Sequence, residues 1–148
     1  MKWGLLTILF LALAGTTSML GSPQSDKASK CGGSTVEEFS PSLGPKAKAF
    51  LASLTTAVKA GDRQKVSTMI QYPLNVNADR GHRLVRSSFE FVKDYDRLFT
   101  PAIVKAIEKQ VPECLFANWQ GVMIGDGEVW FEEQKNGSMR IKTLNISE

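Results

Sequence analysis

Two dipeptides in the last third of the chain, Asp126-Gly127 and Asn136-Gly137, constrain its folding most strongly. Each supplies residues that tolerate positive φ, which a two-residue hairpin turn needs if its twist is to match the strands it joins. The segments around them run from about Cys114 to Ile124, Glu128 to Gln134 and Met139 to Ile146. They are rich in branched and aromatic residues and read as three consecutive antiparallel strands. Tight turns at both places fix a register in which Met123 lies opposite Trp130, Gly121 opposite Glu132, Gln120 opposite Glu133, and Glu133 opposite Arg140.

Upstream the periodicity changes from two to that of a helix. Ala47, Phe50, Leu51, Leu54 and Val58 mark one helical face, closed by Gly61. Val66, Met69 and Ile70 mark a short second helix that stops at Tyr72-Pro73. Leu74 to Val76 and His82 to Arg86 alternate as two strands across a turn containing Asp79 and Gly81. Ser87 or Ser88 caps a third helix whose apolar face is Phe89, Val92, Tyr95, Leu98 and Phe99. Thr100-Pro101 restarts a helix carrying Ile103, Val104, Ile107 and Val111, and Pro112 ends it. Helices followed by a meander define an α+β domain, a curved, mostly antiparallel sheet covered on one side by helices.

The amino terminus has a different character. Lys2 precedes an uncharged apolar run from Trp3 to Gly15, the layout of a secretory signal peptide over residues 1–21. The run falls short of the roughly 20 apolar residues of a spanning helix, so cleavage between Gly15 and Pro23 is expected rather than a stable membrane anchor. Residues 22–42 are rich in Ser, Gly, Pro and Lys and bury little, so they read as a flexible leader before a single domain over 43–148. The chain is therefore expected to be exported, periplasmic or secreted.

In an exported chain Cys31 and Cys114 are candidates for a disulfide. The alternative is that Cys114 is a small buried hydrophobe at a strand start. One His and two distant Cys lack the clustered spacing of a zinc site, and no cofactor motif is present. With 18 basic and 15 acidic residues the formal charge is only +3, and the basic residues are scattered, so nucleic acid is not an expected partner. Arg80, Arg83 and Arg86 beside His82 read as a solvated hairpin tip, and Asp94 and Asp96 as a solvated helix face.

The element order, "AVKAGDRQKV" after the first helix, "YPL" before the first strand, the "FVKDYDRLF" helix and the "NWQGVMIGDGEVWF" hairpin resemble small secreted bacterial members of the nuclear transport factor 2-like superfamily, which is ketosteroid isomerase-like and cystatin-like. The resemblance covers residues 43–146 and implies a cone-shaped domain whose sheet wraps a pocket. Members act as enzymes, binding modules or dimerising scaffolds, so the fold alone does not choose among them. The catalytic set of the isomerases finds no matching motif in this chain.

Under the two-turn register one face carries Leu115, Ala117, Trp119, Gly121, Met123, Trp130 and Ile141, with Glu132 between the tryptophans. This face is expected to look inward, with Gly121 leaving a gap. Trp119, Gly121, Met123, Trp130 and Glu132, joined by Tyr72 and Tyr95, are then the candidate ligand-binding residues, and Glu132 is the candidate base. The other face, with Phe116, Gln120, Val122, Phe131 and Arg140, is expected to lie outside and to support a homodimer. The functional expectation is an exported domain that binds a small apolar or amphipathic molecule or a protein partner. The alternatives are a pocket lyase or isomerase and a dimerising interaction protein.

Overall fold

The computed structural model describes residues 31–147, so the amino-terminal apolar run and the first part of the leader lie outside the described residues. In chain order the elements are α1 (Val36–Phe39), α2 (Leu43–Lys59), α3 (Arg63–Ser67), β1 (Ile70–Ala78), β2 (Gly81–Val85), α4 (Ser88–Lys93), α5 (Tyr95–Leu98) and α6 (Pro101–Lys109). A 3-10 turn (Pro112–Cys114) then leads to β3 (Phe116–Asn118), β4 (Gly121–Ile124), β5 (Val129–Glu133) and β6 (Met139–Ile146). The fold is α+β, with one open six-stranded sheet in the order β2-β1-β6-β5-β4-β3. Every neighbouring pair is antiparallel except β1 and β6.

Local signals place most of these elements. Ser87 and Thr100 cap α4 and α6 by accepting from the N–H of Glu90 and Ile103, and Pro101 opens α6 where its missing N–H costs nothing. The helix expected from Ser87 through Phe99 is interrupted at Asp94, which is the C-cap of α4 and precedes α5. The buried face runs through Phe91, Tyr95, Leu98 and Phe99, spaced as one helical face, so Phe89, expected inside, points away from it and is 80% exposed. Val111, expected on the buried face of α6, also stands exposed, because that helix ends at Lys109. Likewise α3 stops at Ser67 and Ile70 already belongs to β1, so the second helix is shorter than its apolar spacing implies.

The stretch expected to be the end of a flexible leader is folded. Thr35 and Glu38 form a reciprocal capping box around α1. The Val36 N–H donates to the Leu115 carbonyl at 2.7 Å, Thr35 bridges Phe116, and Val36 is fully buried. Cys31 and Cys114 are joined as a disulfide. The folded unit thus begins upstream of Leu43.

The largest departure from the expected sheet is a hairpin inside Cys114 to Ile124, read above as one strand. The chain reverses at Trp119-Gln120, so Asn118 faces Gly121 and Phe116 faces Met123. Asn118 closes the turn by accepting the Gln120 N–H on its side-chain oxygen at 2.7 Å. Because side chains alternate along a strand, a reversal at this point changes which residues share a face. Leu115, Ala117, Val122, Ile124, Val129 and Phe131 are buried, while Phe116, Met123, Trp130 and Glu132 lie half-buried on the opposite face. The face assignment made from the sequence is therefore reversed for β4 and β5.

The helix-facing side of the sheet is filled. Phe50 of α2 stacks on Phe131, and Leu54, Leu74, Ile103, Ile107, Ile141 and Leu144 are among the fully buried side chains around them. Burial on this scale is the dominant favourable term in the fold.

Candidate functional site

The register expected across β4 and β5 holds, with Met123 opposite Trp130 and Val122 opposite Phe131 around the Asp126-Gly127 turn. The β5–β6 connection does not hold it throughout. Glu133 pairs with Met139 and Glu132 with Arg140, so the loop is Lys135-Asn136-Gly137 with Gly137 at φ +80 rather than a two-residue turn. A register shift between Trp130 and Phe131 restores the offset, placing Trp130 opposite Thr143.

The result is one continuous row across all six strands on the face away from the core: Phe116, Met123, Trp130, Thr143, Asn75 and Leu84. All six are half-buried. The seven expected ligand-binding residues divide around this row. Met123 and Trp130 are cross-strand neighbours in it, and Gly121 and Glu132 lie beside it. Trp119 stands at the β3–β4 turn, 86% exposed. Tyr72 and Tyr95 are elsewhere.

Glu132 is not enclosed between two tryptophans. Its Oε2 accepts from Lys142 Nζ at 2.7 Å in a partly exposed ion pair. Gly121 opens no gap either. Its φ is +129, and a Cβ built there falls 2.7 Å from the Phe131 carbonyl oxygen, so glycine is needed for close backbone approach. Tyr72 donates its hydroxyl to the Ser67 carbonyl at 3.1 Å, and burial pushes its pKa up to about 12. The Tyr95 ring is buried, stacked on Phe99 and beneath the Arg63 guanidinium, and its pKa is raised chiefly by burial, against the lowering effect of Arg63. Both phenols are packing elements. Asp94 pairs with Arg83 and Asp96 with Arg63, and His82 lies on the surface within 3.2 Å of Asn75.

A concavity lies where residues 31–34, α6, the disulfide and the β4–β5 turn meet the outer face of β3 and β4. It is a groove of about 740 Å³, within the range of small-molecule sites. Phe116 and Met123 bring the outer row of the sheet into it, Lys105 and Lys109 line it from α6, and Asp126 and Glu128 line it from the turn. The turn is fixed from both sides. Glu128 Oε2 accepts the Asp126 N–H at 2.6 Å, and Gln110 Oε1 accepts the Gly125 N–H at 2.8 Å.

Of the seven expected residues the groove includes only Met123, together with both cysteines. The Lys105 and Lys109 pair was visible as an i, i+4 repeat, but its closeness to the turn is a tertiary fact with no local signal. Among the described residues no cluster of three or more His, Cys, Asp or Glu is arranged to hold a metal, and no helix is long and apolar enough to cross a membrane. Compared with protein-family models, curated proteins and solved structures, the chain matches none.

Proposed function

We propose that this is an exported binding domain that holds a small amphipathic molecule in the groove beside the Cys31–Cys114 bridge. The observation that carries the reading is the contrast between the helix-facing side of the sheet and the groove. The helix-facing side is occupied by stacked and fully buried side chains, whereas the groove combines a size of about 740 Å³ with an apolar floor at Phe116 and Met123 and charged walls. A site with apolar area for affinity and a few polar groups for orientation suits a ligand of the same mixed character. The engagement of Glu132 with Lys142 favours binding over catalysis at that carboxylate.

The nuclear transport factor 2-like resemblance supplies the scaffold for this reading. Its support is the element order and the helices ranged against one side of a mostly antiparallel sheet. A curved, cone-like sheet belongs to the same proposal. Export is supported by the signal-like amino terminus and by the disulfide. An intact mass beginning between Gly15 and Pro23, measured on protein recovered from outside the cytoplasm, tests it; a mass retaining Met1 contradicts it.

Groove binding is tested with the neutral fluorophore N-phenyl-1-naphthylamine and the variant Ala102→Trp, which fills the groove from an exposed position of α6. The parent should bind the dye saturably, and the variant should lose binding while unfolding at nearly the same temperature. A parent that binds no dye, or a variant that binds it as well, overturns the reading.

The half-buried row from Phe116 to Leu84 favours a second reading, self-association of two sheets face to face. Phe131, the expected anchor of such an interface, lies in the core, so the interface would centre on Trp130 and Met123 instead. Sedimentation of the parent and of Trp130→Glu tests this: concentration-dependent association lost in the variant supports it, and a parent monomeric at all concentrations excludes it.

A further inference from the structure

We infer that the groove selects a zwitterionic ligand with an apolar body, of which a short apolar peptide with free termini is the chemical type. The inference rests on the groove reading above and names its ligand class.

The two signs of charge lining the groove stand on different elements. Lys105 and Lys109 are four residues apart on α6, which puts them on one face of that helix. Both are exposed. Asp126 and Glu128 belong to the β4–β5 turn, and the bond from the Asp126 N–H to the Glu128 carboxylate fixes where that negative end stands. Among the described residues no ion pair joins either lysine to either carboxylate, so the opposed charges do not neutralise one another by direct contact. The apolar surface of Phe116, Met123 and Val111 lines the same groove.

The formal charges of these four groups cancel. A singly charged ligand is attracted by one pair and repelled by the other, so the groove gives it little net Coulomb gain. A ligand carrying both charges places its anion toward Lys105 and Lys109 and its cation toward Asp126 and Glu128, and it is favoured at both ends. Discrimination of this kind comes from the repulsive pair as much as from the attractive one.

Calorimetric titration of the disulfide-bonded full chain with leucyl-leucine, its N-acetyl form and its amide tests the inference, because the three share an apolar body and differ in terminal charge. The free dipeptide should bind about tenfold more tightly than either blocked form, as expected when a charge-assisted contact is lost. In the double variant Lys105→Gln/Lys109→Gln the preference over the amide should disappear, with the folded state unchanged by circular dichroism. Equal binding of all three ligands, or tightest binding by a blocked form, overturns the inference. If the peptides fail to bind while the neutral dye still does, only the zwitterion inference falls. If neither binds, the groove reading falls with it.

Discussion

Phe50 stacks on Phe131 where α2 meets β5, with ring centroids 4.7 Å apart and planes 29° from parallel. The contact fixes which side of the sheet is the core. Phe131→Ala should cost about 3–5 kcal/mol, the usual range for emptying a buried aromatic site. Trp119→Ala, at the exposed hairpin tip, should change stability by less than about 0.5 kcal/mol. Denaturant unfolding of both variants gives the comparison, and similar losses for the two would contradict the face assignment.

Gly121 and Gly81 provide a matched pair, since both have φ +129. A Cβ at Gly81 has no atom within 4 Å, whereas one at Gly121 meets the Phe131 carbonyl oxygen at 2.7 Å. Gly81→Ala should cost backbone strain alone, about 1–3 kcal/mol. Gly121→Ala should cost more, and equal losses by thermal unfolding would show that the close approach does not matter.

These two sites also show what the sequence could and could not reveal. Asp126-Gly127 pointed to the β4–β5 register, which holds although the connection is the four-residue turn 125–128 with Gly125 and Gly127 at positive φ. Asn118 and Gly121 carried an equally readable signal, the Asn at the first and Gly at the fourth position of a type I turn, within a segment whose apolar alternation reads as one strand. Missing that turn exchanged core and surface for Val122 and Phe131. The capping box at Thr35 and Glu38 was also present, in a segment whose composition otherwise reads as leader. The groove is a different matter. It depends on residues 31–34, α6 and the β4–β5 turn coming together, and no local pattern encodes that distance.

The Cys31–Cys114 bridge closes a separation of 83 residues. The double variant Cys31→Ser/Cys114→Ser should lose about 2–4 kcal/mol, typical for a native disulfide. The Val36 N–H to Leu115 bond and the burial of Val36 remain, so α1 should stay docked while residues 31–34 loosen. Amide exchange should therefore stay slow at Val36. Fast exchange there would mean that the bridge alone holds the segment.

Tyr72 gives a pH dependence with a definite sign. Its phenol is raised from 10.0 to about 12 by burial, so the folded state keeps a proton that the unfolded chain releases. That contribution to stability is complete below pH 10 and is lost as the pH rises toward 12. Unfolding free energy should fall across this window in the parent, and the fall should be shallower in Tyr72→Phe. Absorbance titration of the folded protein should show Tyr72 and Tyr95 both ionising above the value found in denaturant. Coincident titrations in the two states would contradict the burial of either ring.

The most direct test of the groove as the binding site is a methyl NMR titration of the disulfide-bonded protein with N-phenyl-1-naphthylamine. Saturable shifts are predicted at Ala102, Ala106 and Met123, which line the groove, with Leu54, Leu144 and Met69 of the buried core unchanged. Shifts concentrated at Leu54 and Leu144 would place the ligand between helices and sheet and contradict the account.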